Sequence, residues 1–160
     1  MRWRARESRA EIVGRLYDEY GASLFRYALM LLADHATAED AVQQVFSAVM
    51  RQKGALDNAA HYLRRAVRNE CYSALRRRVA QPVLAKPLLE PISVEAVSVD
   101  QRIALERAIV TLPPEQREVI HLHVFEGMSF QETADATGES INTVASRYRY
   151  ALEKLRNELA

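Results

Sequence analysis

The stretch FQETADATGESINTVASRYR, at residues 130–149, decides the fold of the C-terminal part of the chain. Ser129 and Glu132 have the spacing of a capping box, which predicts a short helix that ends before Gly138. Ser140 is the predicted cap of a second helix, and the glycine supplies the left-handed backbone that a tight turn needs. Two capped helices joined by such a turn are the layout of a helix-turn-helix.

The second of these helices is predicted to pack Ile141 and Val144 inward and to present polar and cationic side chains outward. Such side chains suit base edges and phosphates in the major groove of DNA. They are Asn142, Thr143, Ser146, Arg147 and Arg149. An ordinary helical hairpin with a solvated polar face is the alternative. We favour DNA binding because the caps, the small Ala134, the glycine and the polar face coincide.

Upstream of this motif, residues 81–99 hold three of the five prolines. Proline interrupts helices, so this segment is predicted to be a flexible, mostly extended linker. It divides the chain into residues 1–80 and residues 100–160. In the second unit, Pro114 suits the first position of a helix.

Residues 1–80 show apolar side chains at helical spacing almost throughout. The pattern predicts helices over about residues 9–33, from an N-cap at Thr37 to about Lys53, and over about residues 59–79. The fold class is therefore all-α, with an N-terminal helical bundle and a C-terminal helix-turn-helix domain.

The third predicted helix is rich in arginine, and residues 61–80 carry six Arg against one Glu. Guanidinium groups with Tyr62 and Tyr72 interleaved suit the phosphates and bases of a single strand. The amide of Asn69 can pair with a base edge. A solvated basic face is an equally weighted alternative. The arginines are Arg64, Arg65, Arg68, Arg76, Arg77 and Arg78.

A polar patch is predicted on the second helix, where Asp40, Gln43 and Gln44 lie within about a turn of one another. These side chains leave the apolar stripe of that helix free. They form either a partner-binding patch or an ordinary polar helix face.

The composition disfavours other classes of protein. No apolar run approaches the ~18 residues of a membrane span, and the N-terminus does not look like a secretory signal, so we expect a cytoplasmic protein without membrane insertion. The single cysteine, Cys71, falls on an apolar stripe. His121 and His123 are two residues apart and would point to different sides of a helix. We therefore predict no catalytic residues, no metal site and no cofactor.

Several segments resemble the extracytoplasmic-function (ECF) group of the sigma-70 family of bacterial RNA polymerase sigma factors, from about residue 10 to the end. The carrying segments are LYDEYGASLFRYALMLL, ATAEDAVQQVF, HYLRRAVRNECYSALRRR, LPPEQREVIHLHVFEGMSFQETADATG and INTVASRYRYALEKLR. The string that begins LPPEQREV is the most specific of them.

The resemblance implies a subunit that directs core RNA polymerase to promoters and has no catalytic chemistry of its own. The N-terminal domain would bind polymerase through the Asp40, Gln43 and Gln44 patch and open the −10 element. Asn69 and residues 54–61 would hold a base of the melted non-template strand. The C-terminal domain would read the −35 duplex, and an anti-sigma factor is an expected further partner.

Three positions depart from the usual pattern of the family, and one of them is Tyr62, which stands where Trp is common. Gln44 stands where an acidic residue is common, so we expect the polymerase contact to depend less on charge. Ala145 stands where Lys or Arg is common, which puts the affinity for the −35 element, but not the role of the helix, in question. The alternative function is a stand-alone helix-turn-helix regulator that binds duplex DNA, usually as a dimer on a palindrome. Such a regulator has no need of an arginine-rich helix that carries Asn69. A small helical enzyme has no support in the sequence.

Overall fold

A computed structural model describes residues 6–78 and 98–160, which form seven α-helices and one π-helical turn. The prediction of an all-helical chain with two helical units is confirmed. The N-terminal half holds α1 (Arg9–Leu32), α2 (His35–Arg51) and α3 (Ala59–Arg77). The C-terminal half holds α4 (Val99–Thr111), α5 (Pro114–Ile120), the π turn (His121–Phe125), α6 (Phe130–Thr137) and α7 (Ile141–Leu159).

The predicted linker lies outside the described residues except at its end, where the helix already begins. The Ser98 hydroxyl caps α4 by accepting a hydrogen bond from the Gln101 backbone N–H, and the Gln101 side chain accepts one from the Ser98 backbone N–H. This capping box starts α4 at Val99, one residue before the predicted C-terminal unit.

The junction between α1 and α2 differs from the prediction. Ala33 adopts a left-handed conformation with φ 52°, and α2 then begins at His35 behind Asp34. The prediction that Thr37 caps α2 is wrong, because the reversal at Ala33 is short enough for the helix to start three residues earlier, behind Asp34. Thr37 lies in the first turn, where its hydroxyl hydrogen-bonds to the carboxylate of Asp34.

The helix-turn-helix signals of the C-terminal half are confirmed. Ser129 and Glu132 form the capping box of α6, Gly138 ends that helix with φ 71°, and Ser140 accepts a hydrogen bond from the Thr143 backbone. Val144 is fully buried, but Ile141 is 44% exposed, so its predicted inward packing is wrong. Ile141 lies roughly 60° around the helix from the buried stripe of α7, at its edge.

The two halves share one continuous apolar core. Helix α1 packs against α2 and α3, and it also packs against α5 of the C-terminal half. Leu63 and Val67 of α3 belong to the same cluster of buried side chains as Ile109 and Leu122. Each half alone would have a thin core. The contact between the halves therefore buries apolar surface that neither half could bury by itself. This contact also brings the predicted DNA-binding helices α3 and α7 to one side of the molecule.

Candidate nucleic-acid interface

Helix α3 buries one stripe and presents a polar row on the opposite face. Leu63, Val67 and Cys71 are fully buried at four-residue spacing. Residues 65, 69 and 76 lie roughly 180° around the helix from that stripe. The exposed side chains there are Arg65, Asn69 and Arg76. A row of two guanidinium groups and an amide can bind a phosphate backbone and one base edge.

Two of the other predicted arginines, Arg64 and Arg68, pair with carboxylates of the C-terminal half. Arg64 Nη2 lies 2.8 Å from Glu126 Oε2, and Arg68 Nε lies 2.6 Å from Glu118 Oε1. Arg77 lies 3.6 Å from Glu70, and Arg78 closes the C-terminus of the helix. Arg64 and Arg68 are thus used between the two halves of the chain rather than presented to solvent.

Glu118 is the centre of a polar cluster between the halves. Its side chain is fully buried, and its carboxylate accepts hydrogen bonds from the hydroxyls of Tyr27 and Tyr72 and from Arg68. The Arg68 guanidinium also stacks 4.6 Å from the centre of the Tyr72 ring. A buried carboxylate is stable only with such donors, because it has lost its water.

The same surroundings change the pKa of each donor. Burial, followed by the charge of Glu118, raises the pKa of the Tyr27 and Tyr72 hydroxyls above their ordinary value. Burial by itself lowers the pKa of Arg68, but the hydrogen bond and charge of Glu118 outweigh it and raise that pKa. Both tyrosines therefore stay protonated and keep donating to the carboxylate at neutral pH.

Arg117, next to Glu118 in the chain, is a buried cation held by backbone carbonyls of both halves. Its guanidinium donates to Met30 and Leu31 at the end of α1, at 2.7 Å each, and to Leu112 after α4. The last carbonyls of a helix carry partial negative charge, which favours a cation there. Burial lowers the pKa of Arg117 to about 10.

Helix α7 has its exposed face opposite the buried Val144 and Ala151. Residues 142, 146 and 149 lie within roughly 60° of one another on that face. Asn142 and Arg149 are exposed there, and Ser146 is half-buried between them. Thr143 and Arg147 lie on its flank, where Arg147 Nη2 is 3.2 Å from Glu139 Oε1. The five predicted DNA-binding residues of α7 therefore divide between an open face and a flank.

The flank of α7 faces α3 across a cavity of about 400 Å³. Asn69 and Arg76 line it from α3, and Arg147 and Glu139 line it from the C-terminal half. The structure thus brings together two surfaces that the sequence assigned to separate parts of a DNA target.

The predicted polymerase patch on α2 is open. Asp40, Gln43 and Gln44 are exposed and lie opposite the buried stripe of α2, which includes Val42 and Val45. Gln43 also lines a groove of about 510 Å³ between α1 and α2. This exposure is compatible both with a partner-binding patch and with an ordinary polar helix face.

The histidines have separate partners. His121 is buried and its Nε2 lies 3.0 Å from Glu126, whereas His123 Nδ1 lies 2.6 Å from the backbone oxygen of Met128. Within residues 6–78 and 98–160, no three metal-binding side chains gather into a site. None of the helices described is long and apolar enough to cross a membrane.

Comparison with known proteins identifies the family. The model of sigma-70 region 2 matches residues 16–81, and that of sigma-70 region 4 matches residues 102–155. The ECF RNA polymerase sigma factor SigL of Mycobacterium tuberculosis is 30% identical over 161 residues, covering 95% of this chain and 91% of SigL. The chain belongs to the ECF sigma factors. As a sigma factor it directs core RNA polymerase to promoters and initiates transcription, and the alternative of a stand-alone regulator is not favoured.

Two further relatives agree with this membership. The RNA polymerase sigma-E factor of Streptomyces avermitilis is 35% identical over 146 residues, covering 86% of this sigma factor and 79% of the relative. The sigma factor RpoE of Bartonella quintana, solved in complex with the anti-sigma factor NepR, is 25% identical with a TM-score of 0.70. That match covers 91% of this chain and 95% of RpoE, so the similarity extends over both halves.

Sequence reasoning missed the two residues that join the halves of this sigma factor. Arg117 and Glu118 stand in the LPPEQREV string, and charged side chains in a helix are usually solvated. One signal was present in the sequence: the segment that follows Glu118 places apolar side chains around the whole circumference of a helix, at Val119, Ile120, Leu122, Val124 and Phe125. A charge inside such a segment must find a buried partner.

Proposed function

We propose that the outward row of α3 and the exposed face of α7 are the promoter-binding surfaces of this sigma factor. Arg65, Asn69 and Arg76 would contact the melted non-template strand of the −10 element. The α7 face would enter the major groove of the −35 duplex. The observation that carries the proposal is that each row lies opposite a buried stripe of its helix and is exposed, apart from the half-buried Ser146.

The α2 patch is proposed to bind core polymerase. It is exposed, uncharged except for Asp40, and separate from the arginine row of α3. Two weak DNA contacts on one chain become strong when polymerase holds both in place, because the second contact is then intramolecular. We therefore propose that polymerase binding precedes stable promoter binding.

The division of labour follows the predicted domains. Residues 1–80 would bind polymerase and melt the −10 element, and residues 100–160 would read the −35 element. The protein would act in the cytoplasm and would have no catalytic chemistry of its own. No bond need be broken to keep the strands apart, because pockets and a cationic surface stabilise the unstacked bases. An anti-sigma factor is proposed as a further partner on the basis of the Bartonella quintana complex.

Run-off transcription with core polymerase and a start site mapped from genomic DNA tests the DNA surfaces. Asn69→Ala is expected to spare polymerase binding and to impair promoter melting. Arg149→Ala and Arg147→Ala are expected to weaken −35 binding by about 1–3 kcal/mol each if the guanidinium contacts a base. Arg15→Ala, an exposed charge on α1, is the matched control. Unchanged melting by Asn69→Ala would refute the assignment of the base contact.

Gel filtration with core polymerase tests the α2 patch. Asp40→Ala and Gln43→Ala should reduce the fraction of sigma factor that elutes with polymerase. Asp100→Ala, an exposed carboxylate on α4, should leave it unchanged. Equal co-elution of all three variants would place the polymerase contact elsewhere.

A further inference from the structure

We propose that Arg9, at the start of α1, is a positioning residue for promoter melting, because its guanidinium holds the loop between α2 and α3 at the end of the outward row of α3. The loop comprises residues 52–58. This inference rests on the proposed function, which assigns the outward row to the melted −10 strand. It adds to that function a residue 43 positions from Gln52 in sequence, for which no DNA contact is predicted.

The guanidinium of Arg9 binds two carbonyl groups of the loop. Nε and Nη2 both donate to the Gln52 carbonyl, at 3.0 and 2.5 Å, and Nη2 also donates to the Gly54 carbonyl at 2.7 Å. Gln52 caps the end of α2, and the last carbonyls of a helix carry partial negative charge, which favours a cation there. A planar guanidinium holds two such acceptors in a fixed geometry that the ammonium of a lysine does not reproduce.

The loop is exposed and needs such a fixed point. Gly54 and Asn58 both have positive φ angles, of 101° and 51°. Leu56 between them packs against the apolar core, whereas its neighbours on both sides are exposed. An exposed loop with one buried side chain samples several conformations unless hydrogen bonds hold it. The Arg9 bonds hold it where the chain leaves α2.

A further hydrogen bond ties the loop to α3. The side-chain amide of Gln52 donates to the Tyr62 hydroxyl at 2.7 Å. The residue whose carbonyl Arg9 binds therefore also contacts the first turn of α3. Arg9, Gln52 and Tyr62 form a chain of hydrogen bonds from α1 through the loop to α3, and the conformation of the loop relative to α3 depends on both links.

The loop lies at the N-terminal end of the outward row of α3. His61, Arg65 and Asn69 are exposed at four-residue spacing, so they lie on one side of the helix, which begins directly after Asn58. The Asn58 side chain makes no capping bond to α3, so its exposed amide can pair with a base edge. Asn58 and Asn69 are roughly 16 Å apart along the helix. A strand that follows the row from Asn69 towards the start of α3 therefore meets the loop.

The conformation of the loop determines how selective this contact can be. A loop that is already held in its bound conformation loses little freedom when the strand arrives, so a base that does not fit is rejected. A loop without the Arg9 bonds can adapt to other bases. We therefore expect Arg9 to act on the base preference at the −10 element and not on polymerase binding.

Run-off transcription with core polymerase on variants of a mapped promoter tests this role. Each −10 position is replaced in turn by the other three bases, and the initial rates give a base preference at every position. One contacted base is typically worth a factor of about 5–150. Arg9→Ala should lower the largest preference of the wild-type holoenzyme by about tenfold. Tyr62→Phe, which cannot accept the Gln52 hydrogen bond, should lower the same preference.

Two further variants separate positioning from a general loss of structure. Arg9→Lys keeps the charge but not the planar fork, so it should restore part of the preference that Arg9→Ala loses. Arg15→Ala removes an exposed arginine of the same helix, which pairs with Glu7, and should leave the preference unchanged. Circular dichroism and co-elution with core polymerase should show that Arg9→Ala is folded and bound.

Wild-type base preferences in Arg9→Ala and Tyr62→Phe would overturn the inference, even if their rates fall equally on every promoter variant. If Arg9→Ala is unfolded or no longer elutes with polymerase, Tyr62→Phe and Arg9→Lys decide the question by the same preference. Failure of the proposed function is distinct, because Asn69→Ala would then melt promoters as wild type does. If Asn69→Ala impairs melting while Arg9→Ala keeps the wild-type preference, only the role of Arg9 is refuted.

Discussion

Replacement of Arg117 by methionine tests whether the buried guanidinium stabilises the contact between the halves. The wild-type side chain, 4% exposed, makes three hydrogen bonds of 2.7 Å to backbone carbonyls and a fourth of 3.3 Å to Val110. Bonds to a charged donor contribute about 1.5–3 kcal/mol each. Burial opposes them, since lowering a pKa from 12.5 to about 10 corresponds to about 3 kcal/mol.

The three short bonds outweigh this cost, so the net loss on substitution is about 2–4 kcal/mol. Methionine fills most of the volume and adds no cavity of the size that alanine would leave. The free energy of unfolding is measured by urea denaturation with circular dichroism. Arg107→Met, which removes an exposed arginine of α4, is the control. A variant as stable as wild type would show that desolvation cancels the hydrogen bonds, as it does in some buried ion pairs.

Two further substitutions and two measurements on the wild-type chain have defined outcomes. Gly138→Ala should lower the unfolding free energy by about 1–2 kcal/mol in urea, because alanine is strained at φ 71°. Leu63→Ala, at a fully buried position, should cost about 2–5 kcal/mol in the same assay. Burial raises the pKa of Cys71 to about 12, so its reaction with a thiol reagent near pH 8 should be slow when folded and fast in urea. Burial by itself raises the pKa of the Glu126 carboxyl, but the His121 hydrogen bond and the nearby cations outweigh burial and lower that pKa below its ordinary value. The ionised Glu126 carboxylate therefore stabilises the folded chain fully above pH 4.5, and this stabilisation is lost as the pH falls through its lowered pKa. The urea midpoint of unfolding, measured as a function of acidic pH, follows this loss.

The local signals of the sequence predicted the C-terminal motif well. Ser129, Glu132, Gly138 and Ser140 each act on their own turn of backbone, so their effect does not depend on the rest of the chain. Dependence on local signals alone also explains why the predicted inward packing of Ile141 is wrong. An apolar residue in a first turn packs inward only if a neighbouring element reaches it, and that is a tertiary property.

The partners of the arginines could not be read from the sequence. Arg64 and Arg68 have the same composition and spacing signals as Arg65, yet they bind carboxylates 62 and 50 residues away. Charge counts cannot distinguish a solvated guanidinium from a paired one, because the pairing depends on how the two halves meet. The exposed row of α3 was predictable as a helix face, but its restriction to Arg65, Asn69 and Arg76 was not.

The shared core has a consequence for how such a chain can be recombined. A C-terminal half transplanted from a relative would have to bring its own counterpart of Glu118 and meet a host with matching donors on α1 and α3. Without that match, the graft would expose apolar surface of α5 and leave Arg68 and Tyr72 facing an incompatible neighbour. On the proposed assignment of −35 recognition to α7, exchange of promoter specificity between such proteins is therefore easier by replacing exposed side chains of α7 than by swapping whole halves.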